Sequence, residues 1–273
     1  MTAFTRRAAL RGVGVGRVEI HVSPCIVAHP PNELWHDILI VPANEFLVGT
    51  SLPYFPIGGP VPAPLPAGVT NSVWGGMEAG QGMMYSVQVV DGAVTEFGGH
   101  DLVLALKALP VVEDDDVARD SRFPPRRCFV GDAVRTVAAG SLKHNFQGLV
   151  HTVAPFRSDE AWAHKLASCY KRCLDVATCD VSKSRKKGGS GGEEHGVSIA
   201  VPLLGAGARG AAPAEAAVVA AEAISAWRRD AGDGDVDGHG DGDGDGVVMR
   251  FGVLDNDIER LLQEAFDKCG WGI

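Results

Sequence analysis

The residues best suited to do chemistry form a short glycine-rich run, Gly205-Ala-Gly-Ala-Arg-Gly210. The run follows an apolar stretch typical of a buried strand, residues 197–204, and precedes an Ala-rich stretch typical of a helix. Successive N–H groups in such a turn can converge on a phosphate, and the adjacent helix N-terminus adds about half a positive charge. The run therefore predicts a pyrophosphate site that is formed by Gly205, Ala206, Gly207, Ala208, Arg209 and Gly210.

Two other interpretations of this run stay open. Its spacing fits G-x-G-x-x-G, the dinucleotide fingerprint, which would indicate an NAD-dependent oxidoreductase. That fingerprint normally opens the first βαβ unit and is followed by an acidic residue about 20 positions on. Here the next predicted strand ends only at Leu254-Asp255. A tight strand-to-helix turn that binds nothing is the other alternative.

The elements that must position this run alternate between strands and helices. Apolar patterns predict strands at residues 17–22, 37–41, 146–153, 197–204 and 247–254, and helices at 158–177, 213–228 and from Asp255 onward, with residues 102–109 as the second half of a further helix. Such alternation predicts a three-layer α/β/α fold with a mostly parallel, mixed central sheet. His151, Cys169 and Cys173 are expected to be core residues of this fold.

The predicted domain covers residues 17–273 and is preceded by a basic segment, residues 1–16. Long stretches rich in Pro, Gly or charged residues interrupt it, and we expect them to be surface insertions because they fit neither helix nor central strand. These insertions lie near residues 50–88, 182–196 and 230–246.

Net charge and hydropathy limit the classes of partner that this protein is expected to bind. The formal net charge of -9 argues against direct binding to nucleic-acid phosphates. No apolar run approaches the roughly 20 residues that span a bilayer, so we expect no membrane contact and a cytoplasmic or nuclear location. The Arg-rich start leaves organelle targeting open.

The six cysteines lack the paired spacing of a zinc site. We expect free thiols, neither a metal nor a cofactor, and a monomer.

Five segments share residues, order and approximate spacing with one known family. Asp37-Ile-Leu-Ile-Val-Pro-Ala-Asn44 is similar to a D-x-I-V-N-A-A-N strand end, and Val90-Asp-Gly-Ala-Val94 to a V-D-G-A-I helix start. Gly131-Asp-Ala-Val-Arg-Thr136 resembles G-x-A-x-x-T, and Val150-His-Thr-Val-Ala-Pro155 resembles I-H-T-V-G-P. Residues 198–210 resemble the phosphate loop S-I-A-F-P-x-x-S-T-G-x-x-G. Together these segments resemble the macro domain family of ADP-ribose-binding modules.

The resemblance covers about residues 17–267 and implies a ligand along the carboxyl ends of the strands, with its pyrophosphate on residues 205–210. Asn44 would offer its amide to the distal ribose, although a strand-end turn residue is the plain alternative. Asp91, followed by Gly92, matches the acidic residue that positions or activates water in hydrolytic members. An Asp at a helix start is also an ordinary cap. Asn44 and Asp91 are therefore the catalytic candidates if the protein is an enzyme.

Four positions depart from the family pattern. Ser23-Pro24-Cys25-Ile26 replaces the segment whose Asp accepts from the adenine amino group. Pro42 replaces the first Asn of N-A-A-N, and Val87-Gln-Val-Val90 replaces a run of glycines. Arg209 stands where an aromatic side chain usually covers the distal ribose, and a guanidinium suits a phosphate better than an apolar wall.

These departures favour a binding module over an enzyme. We expect a protein that binds ADP-ribose or an ADP-ribosylated protein. The first alternative is an ADP-ribosyl hydrolase that removes mono-ADP-ribose from protein with the help of Asp91. The further alternatives are the NAD-dependent oxidoreductase and an interaction scaffold that has lost its ligand.

Overall fold

The computed structural model describes residues 8–11, 16–23, 25–31, 35–49, 89–112, 124–185, 197–232 and 246–271. Most of the three predicted insertions, namely residues 50–88, 186–196 and 233–245, lie outside the described residues.

Seven strands form one mixed sheet. In chain order they are β1 (Ala8–Arg11), β2 (Arg17–Val22), β3 (His36–Pro42), β4 (Ala133–Val137), β5 (Phe146–Thr152), β6 (Ser198–Pro202) and β7 (Val248–Val253). Their order in the sheet is β1-β2-β7-β6-β3-β5-β4. The five central strands are parallel, and β1 and β4 pair antiparallel at the two edges. This confirms the mostly parallel, mixed sheet, and the basic segment 1–16 contributes its first strand.

Helices cover both faces of the sheet. They are α1 (Val90–Ala108), α2 (Trp162–Arg185), α3 (Pro213–Gly232) and α4 (Asn256–Lys268). α1 packs on one face together with a short 3-10 helix, Gly140–His144, and α2, α3 and α4 pack on the other. The fold is therefore the predicted α/β/α sandwich. None of the helices in the described ranges is both long and apolar enough to cross a bilayer.

Two helices differ from their predicted bounds. α2 begins at Trp162 and not at Ser158, because the side chain of Asp159 accepts from the N–H of Ala161 and holds a turn before the helix. α2 and α3 continue to Arg185 and Gly232, which places the first residues of two predicted insertions within helices.

Both faces of the central strands are buried. On β3, Ile38 and Ile40 belong to the core under α2, α3 and α4, whereas Leu39 and Val41 belong to the core under α1. This accounts for the continuous apolar run of a central parallel strand. Because β3 and β6 are parallel neighbours, the segments that follow them emerge at the same edge of the sheet. That edge is where ligands bind in open α/β sheets.

Candidate functional site

The glycine loop (residues 205–210) directly follows β6 and closes on itself. The N–H of Gly210 donates to the carbonyl of Gly207 at 3.0 Å, and the N–H of Ala211 donates to that of Gly205 at 3.1 Å. Gly205 and Gly210 have φ of 81° and 84°, a left-handed conformation that favours glycine. The buried hydroxyl of Tyr170 accepts from the N–H of Leu204 at 3.0 Å and fixes the start of the loop to α2.

The middle of the loop presents unused donors. The N–H groups of Ala206, Gly207 and Ala208 donate to no other residue in the part of the chain that the structure describes. Gly207 is exposed, and a Cβ built on it would meet nothing within 4 Å. α3 begins three residues after the loop, at Pro213, so the positive end of its dipole lies beside these donors. Small side chains, free N–H groups and a helix start together form an arrangement suited to an anion.

The side chain of Arg209 leaves the loop and crosses to β3. Its guanidinium lies 4.3 Å from the ring centroid of Phe156, and its Nη2 donates to the carbonyl of Ala43 at 3.2 Å. A positive charge is thus fixed between the glycine loop and the residue that precedes Asn44. The sequence analysis missed Phe156. An aromatic residue directly after the segment that resembles I-H-T-V-G-P is the signal that would have drawn attention to it.

Arg157 holds the C-terminal end of the glycine loop in place through its backbone and its side chain. Its N–H donates to the carbonyl of Arg209 at 2.7 Å. Its side chain forms two hydrogen bonds, of 2.9 and 3.0 Å, with the carboxylate of Glu215 in the first turn of α3. The same guanidinium lies 4.5 Å from the ring centroid of Trp162. The hydrogen bonds to Glu215 raise the pKa of Arg157, and they lower the pKa of the Glu215 carboxyl. Arg157 therefore connects the segment that follows β5 with the glycine loop and α3.

Asn44 is buried just after β3, and its side chain stabilises a turn formed by residues 44–48, the turn of Asn44. Its Oδ1 accepts from the N–H groups of Phe46 and Val48, each at 3.2 Å, and its Nδ2 donates to the carbonyl of Val48. The backbone of Leu47 within this turn has φ of 53°. Asn44 thus has the turn-forming role that was its plain alternative.

Asp91 lies in the first turn of α1 and is partly buried. The N-cap is Val89, so the structure does not show the cap that was the alternative role for Asp91. The carbonyl of Asp91 accepts from the hydroxyl of Thr95 at 2.9 Å, and Gly92 beside it is buried. A carboxylate at this position is favoured by the positive end of the helix dipole.

The turn of Asn44 packs directly against the start of α1. A Cβ built on Gly49 would lie only 1.7 Å from the Oγ1 of Thr95, so this contact requires glycine. Thr95 is the residue that also bonds to the carbonyl of Asp91. Gly49 thus joins the turn of Asn44 to the helix that carries Asp91, and Arg209 joins the glycine loop to the same edge of the sheet.

The remaining candidates are buried and structural. The Nε2 of His151 lies 2.9 Å from the hydroxyl of Thr136, and burial lowers the pKa of His151 to about 4. Cys169 and Cys173 are buried core residues, and burial raises the pKa of the Cys169 thiol to about 11. All six cysteines are free thiols. Among the described residues no group of three or more His, Cys, Asp or Glu side chains is arranged to hold a metal ion.

The fold is an α/β/α domain with a glycine-rich loop, followed by the start of α3, at the carboxyl edge of its sheet. A model of the Macro domain family matches residues 81–220, which is half of the chain. The chain therefore belongs to the macro domain family. No curated protein sequence is a significant match.

Solved structures show the same fold at low identity. The Oceanobacillus iheyensis macrodomain with ADP has 17% identity and a TM-score of 0.56, covering 96% of this chain and 97% of that chain. A single-residue variant of that macrodomain with ADPR has 18% identity and a TM-score of 0.55, covering 96% and 98%. The Trypanosoma brucei macrodomain in complex with ADP-ribose has 15% identity and a TM-score of 0.50, covering 93% and 73%.

Proposed function

We propose that this protein binds ADP-ribose, free or attached to another protein, with the diphosphate on the glycine loop. The observation that carries the proposal is the set of unused N–H groups of Ala206, Gly207 and Ala208 at the start of α3. Membership of the macro domain family and the ADP-ribose bound to the Trypanosoma brucei macrodomain support the choice of ligand.

The side chains around the loop suit the rest of this ligand. Arg209 supplies a positive charge beside the diphosphate, and Phe156 keeps its guanidinium in place. The Nδ2 of Asn44 carries two hydrogens, and the turn uses one of them on Val48. The second is the group that we assign to a hydroxyl of the distal ribose. Asp91 and Gly92 would border this ribose from the first turn of α1.

Hydrolysis of an ADP-ribosyl bond is the second candidate function. Asp91 favours it, because a carboxylate in the first turn of α1 next to the turn of Asn44 is placed to orient water. Hydrolysis needs that water to be held accurately, since a misplacement of about 1 Å costs about a hundredfold in rate. Pro42 at the end of β3 offers no side-chain amide for this purpose, so we favour binding without turnover.

The oxidoreductase hypothesis loses its main support. The dinucleotide fingerprint opens the first βαβ unit of its domain, whereas the glycine loop follows β6, the sixth strand along the chain.

Calorimetry with ADP-ribose tests the proposed function. Gly207 is exposed and surrounded by space, so both Gly207→Ala and Gly207→Glu should fold normally. The unaltered protein and Gly207→Ala should bind alike. Gly207→Glu should bind at least about a hundredfold more weakly, because its carboxylate would repel the diphosphate by several kcal/mol. Absence of binding by the unaltered protein, or equal binding by Gly207→Glu, would overturn the proposal.

A further inference from the structure

A small cavity lies at the edge of the sheet opposite the glycine loop, where β2 and β7 begin. Its volume is about 20 Å³, roughly the space of one water-sized particle. Apolar side chains of β2, α2, α3 and β7 form much of its wall. The remaining lining includes two tryptophans and two arginines, Trp227, Trp271, Arg17 and Arg228.

Each of the two arginines brings a buried, unused donor to this cavity. Arg17 Nε and Arg228 Nη1 are inaccessible to solvent and have no hydrogen-bond partner within the described ranges. The guanidinium of Arg228 lies 4.2 Å from the ring centroid of Trp271, whose Nε1 donates to the buried hydroxyl of Ser225 at 2.6 Å. Buried donors without an acceptor are rare because they lose the hydrogen bonds that water would give them.

Within the described ranges, a single carboxylate, that of Glu19, pairs with an arginine that lines this cavity. Glu19 Oε1 pairs with Arg17 Nη2 at 2.8 Å, while Glu19 Oε2 pairs with Arg250 Nε at 2.8 Å and with His21 Nε2 at 3.1 Å. One carboxylate thus serves two arginines, whereas the guanidinium of Arg228 lies over the ring of Trp271. A water molecule would satisfy the N–H groups but not the charge. A small halide ion would do both.

We propose that this cavity binds one small monovalent anion, a halide such as chloride, between Arg17 Nε and Arg228 Nη1. The bound ion would join the start of β2 to α3 and, through Trp271, to the segment after α4. Its effect would therefore be on the stability of the fold, at a site separate from the glycine loop.

Thermal unfolding at constant ionic strength tests this inference. Replacing gluconate, which is too large for the cavity, by chloride or bromide should raise the Tm of the unaltered protein by about 2–4 °C and then saturate. Arg228→Gln should abolish the rise. Arg229→Gln is the matched control, because it removes the same charge from the exposed neighbouring residue and should keep the rise. An equal rise in Arg228→Gln, or no rise in the unaltered protein, would overturn the assignment.

A crystallographic measurement on the unaltered protein does not depend on the folding of any variant. Crystals soaked in bromide should show an anomalous peak between Arg17 Nε and Arg228 Nη1. A water molecule at this position with no anomalous signal would refute the halide site.

Discussion

The Nη2 of Arg209 donates to the carbonyl of Ala43 at 3.2 Å, so a side chain of the glycine loop contacts the residue immediately before Asn44. These residues are 166 positions apart in the chain. The ring of Phe156 supports the guanidinium at 4.3 Å, which fixes the charge at the junction of β3 and β6. Arg209 therefore links the glycine loop to the residue before Asn44, and in the proposed function its charge would lie beside the diphosphate.

Arg209→Met should weaken the binding of ADP-ribose about tenfold, because it removes a charge-assisted contact to phosphate and keeps most of the side-chain volume. The dependence of affinity on salt should also become shallower. Calorimetry at two salt concentrations measures both effects. Arg260→Met, an exposed substitution on α4, is the control and should change neither. Tighter binding by Arg209→Met would instead mean that the guanidinium blocks the site.

Asp91→Asn separates the binding function from the hydrolase alternative. If the protein only binds, the unaltered chain should release no ADP-ribose from a mono-ADP-ribosylated protein, and Asp91→Asn should bind ADP-ribose within about threefold of it. Release assays together with calorimetry measure the two quantities. Asp101→Asn, exposed on the same helix, controls for the loss of a carboxylate. Turnover by the unaltered chain that disappears only in Asp91→Asn would establish the hydrolase.

Local patterns were sufficient to predict most of the elements. The buried run of β3 identified a central strand, and Asp255 marked the start of α4, where its side chain accepts from the N–H of Ile258. The same reasoning left two roles open for Asp91, because a carboxylate in the first turn and a carboxylate at the N-cap have similar sequence patterns. Positions that differ by one or two residues along a helix start are distinguished by backbone geometry, which sequence spacing does not fix.

The place of the glycine loop between a strand and a helix was predictable, because small residues suit a tight turn whose backbone N–H groups stay accessible. Its binding of a diphosphate stays a prediction. The contacts that orient the loop were not predictable. Phe156 and Arg209, like Arg157 and Glu215, pair across more than 50 residues of intervening chain. Whether two such side chains meet depends on how β5 and α3 pack, and no local periodicity encodes that packing.

Gly49→Ala should destabilise the protein by about 1–3 kcal/mol, because the new methyl group would overlap the hydroxyl of Thr95. It should also weaken ADP-ribose binding, since the turn of Asn44 would be displaced from α1. Urea unfolding and calorimetry measure these changes. In a Thr95→Gly background the same substitution should cost less, as expected for two residues in direct contact. Equal costs in both backgrounds would show that the contact is not the cause.

Two buried histidines should make stability depend on pH below neutrality. The Nε2 of His36 donates to the carbonyl of Pro31 at 3.1 Å, and its Nδ1 accepts from the hydroxyl of Ser198 at 2.8 Å. Burial, with a smaller contribution from the charge of Arg250, lowers the pKa of His36 to about 4, and burial lowers that of His151 to about 4. Both side chains are therefore neutral in the folded protein at pH 5.

The sign of the effect follows from proton uptake by the unfolded chain. An unfolded histidine takes up a proton below its pKa of about 6.5, whereas His36 and His151 resist protonation in the folded state until about pH 4. Their contribution to stability is thus complete above pH 6.5 and declines as the pH falls towards 4. At pH 5 the loss should be about 2 kcal/mol for each histidine.

Urea unfolding at pH 8 and at pH 5 measures this loss. His151→Gln, which can still bond to Thr136, should lose a smaller part of its free energy of unfolding between the two pH values than the unaltered protein. His100→Gln, exposed on α1, should behave like the unaltered protein. If His151→Gln and His100→Gln lost the same free energy of unfolding between pH 8 and pH 5, His151 would not be a source of the pH dependence. The decline would then come from other groups, and His36 would be the next residue to replace.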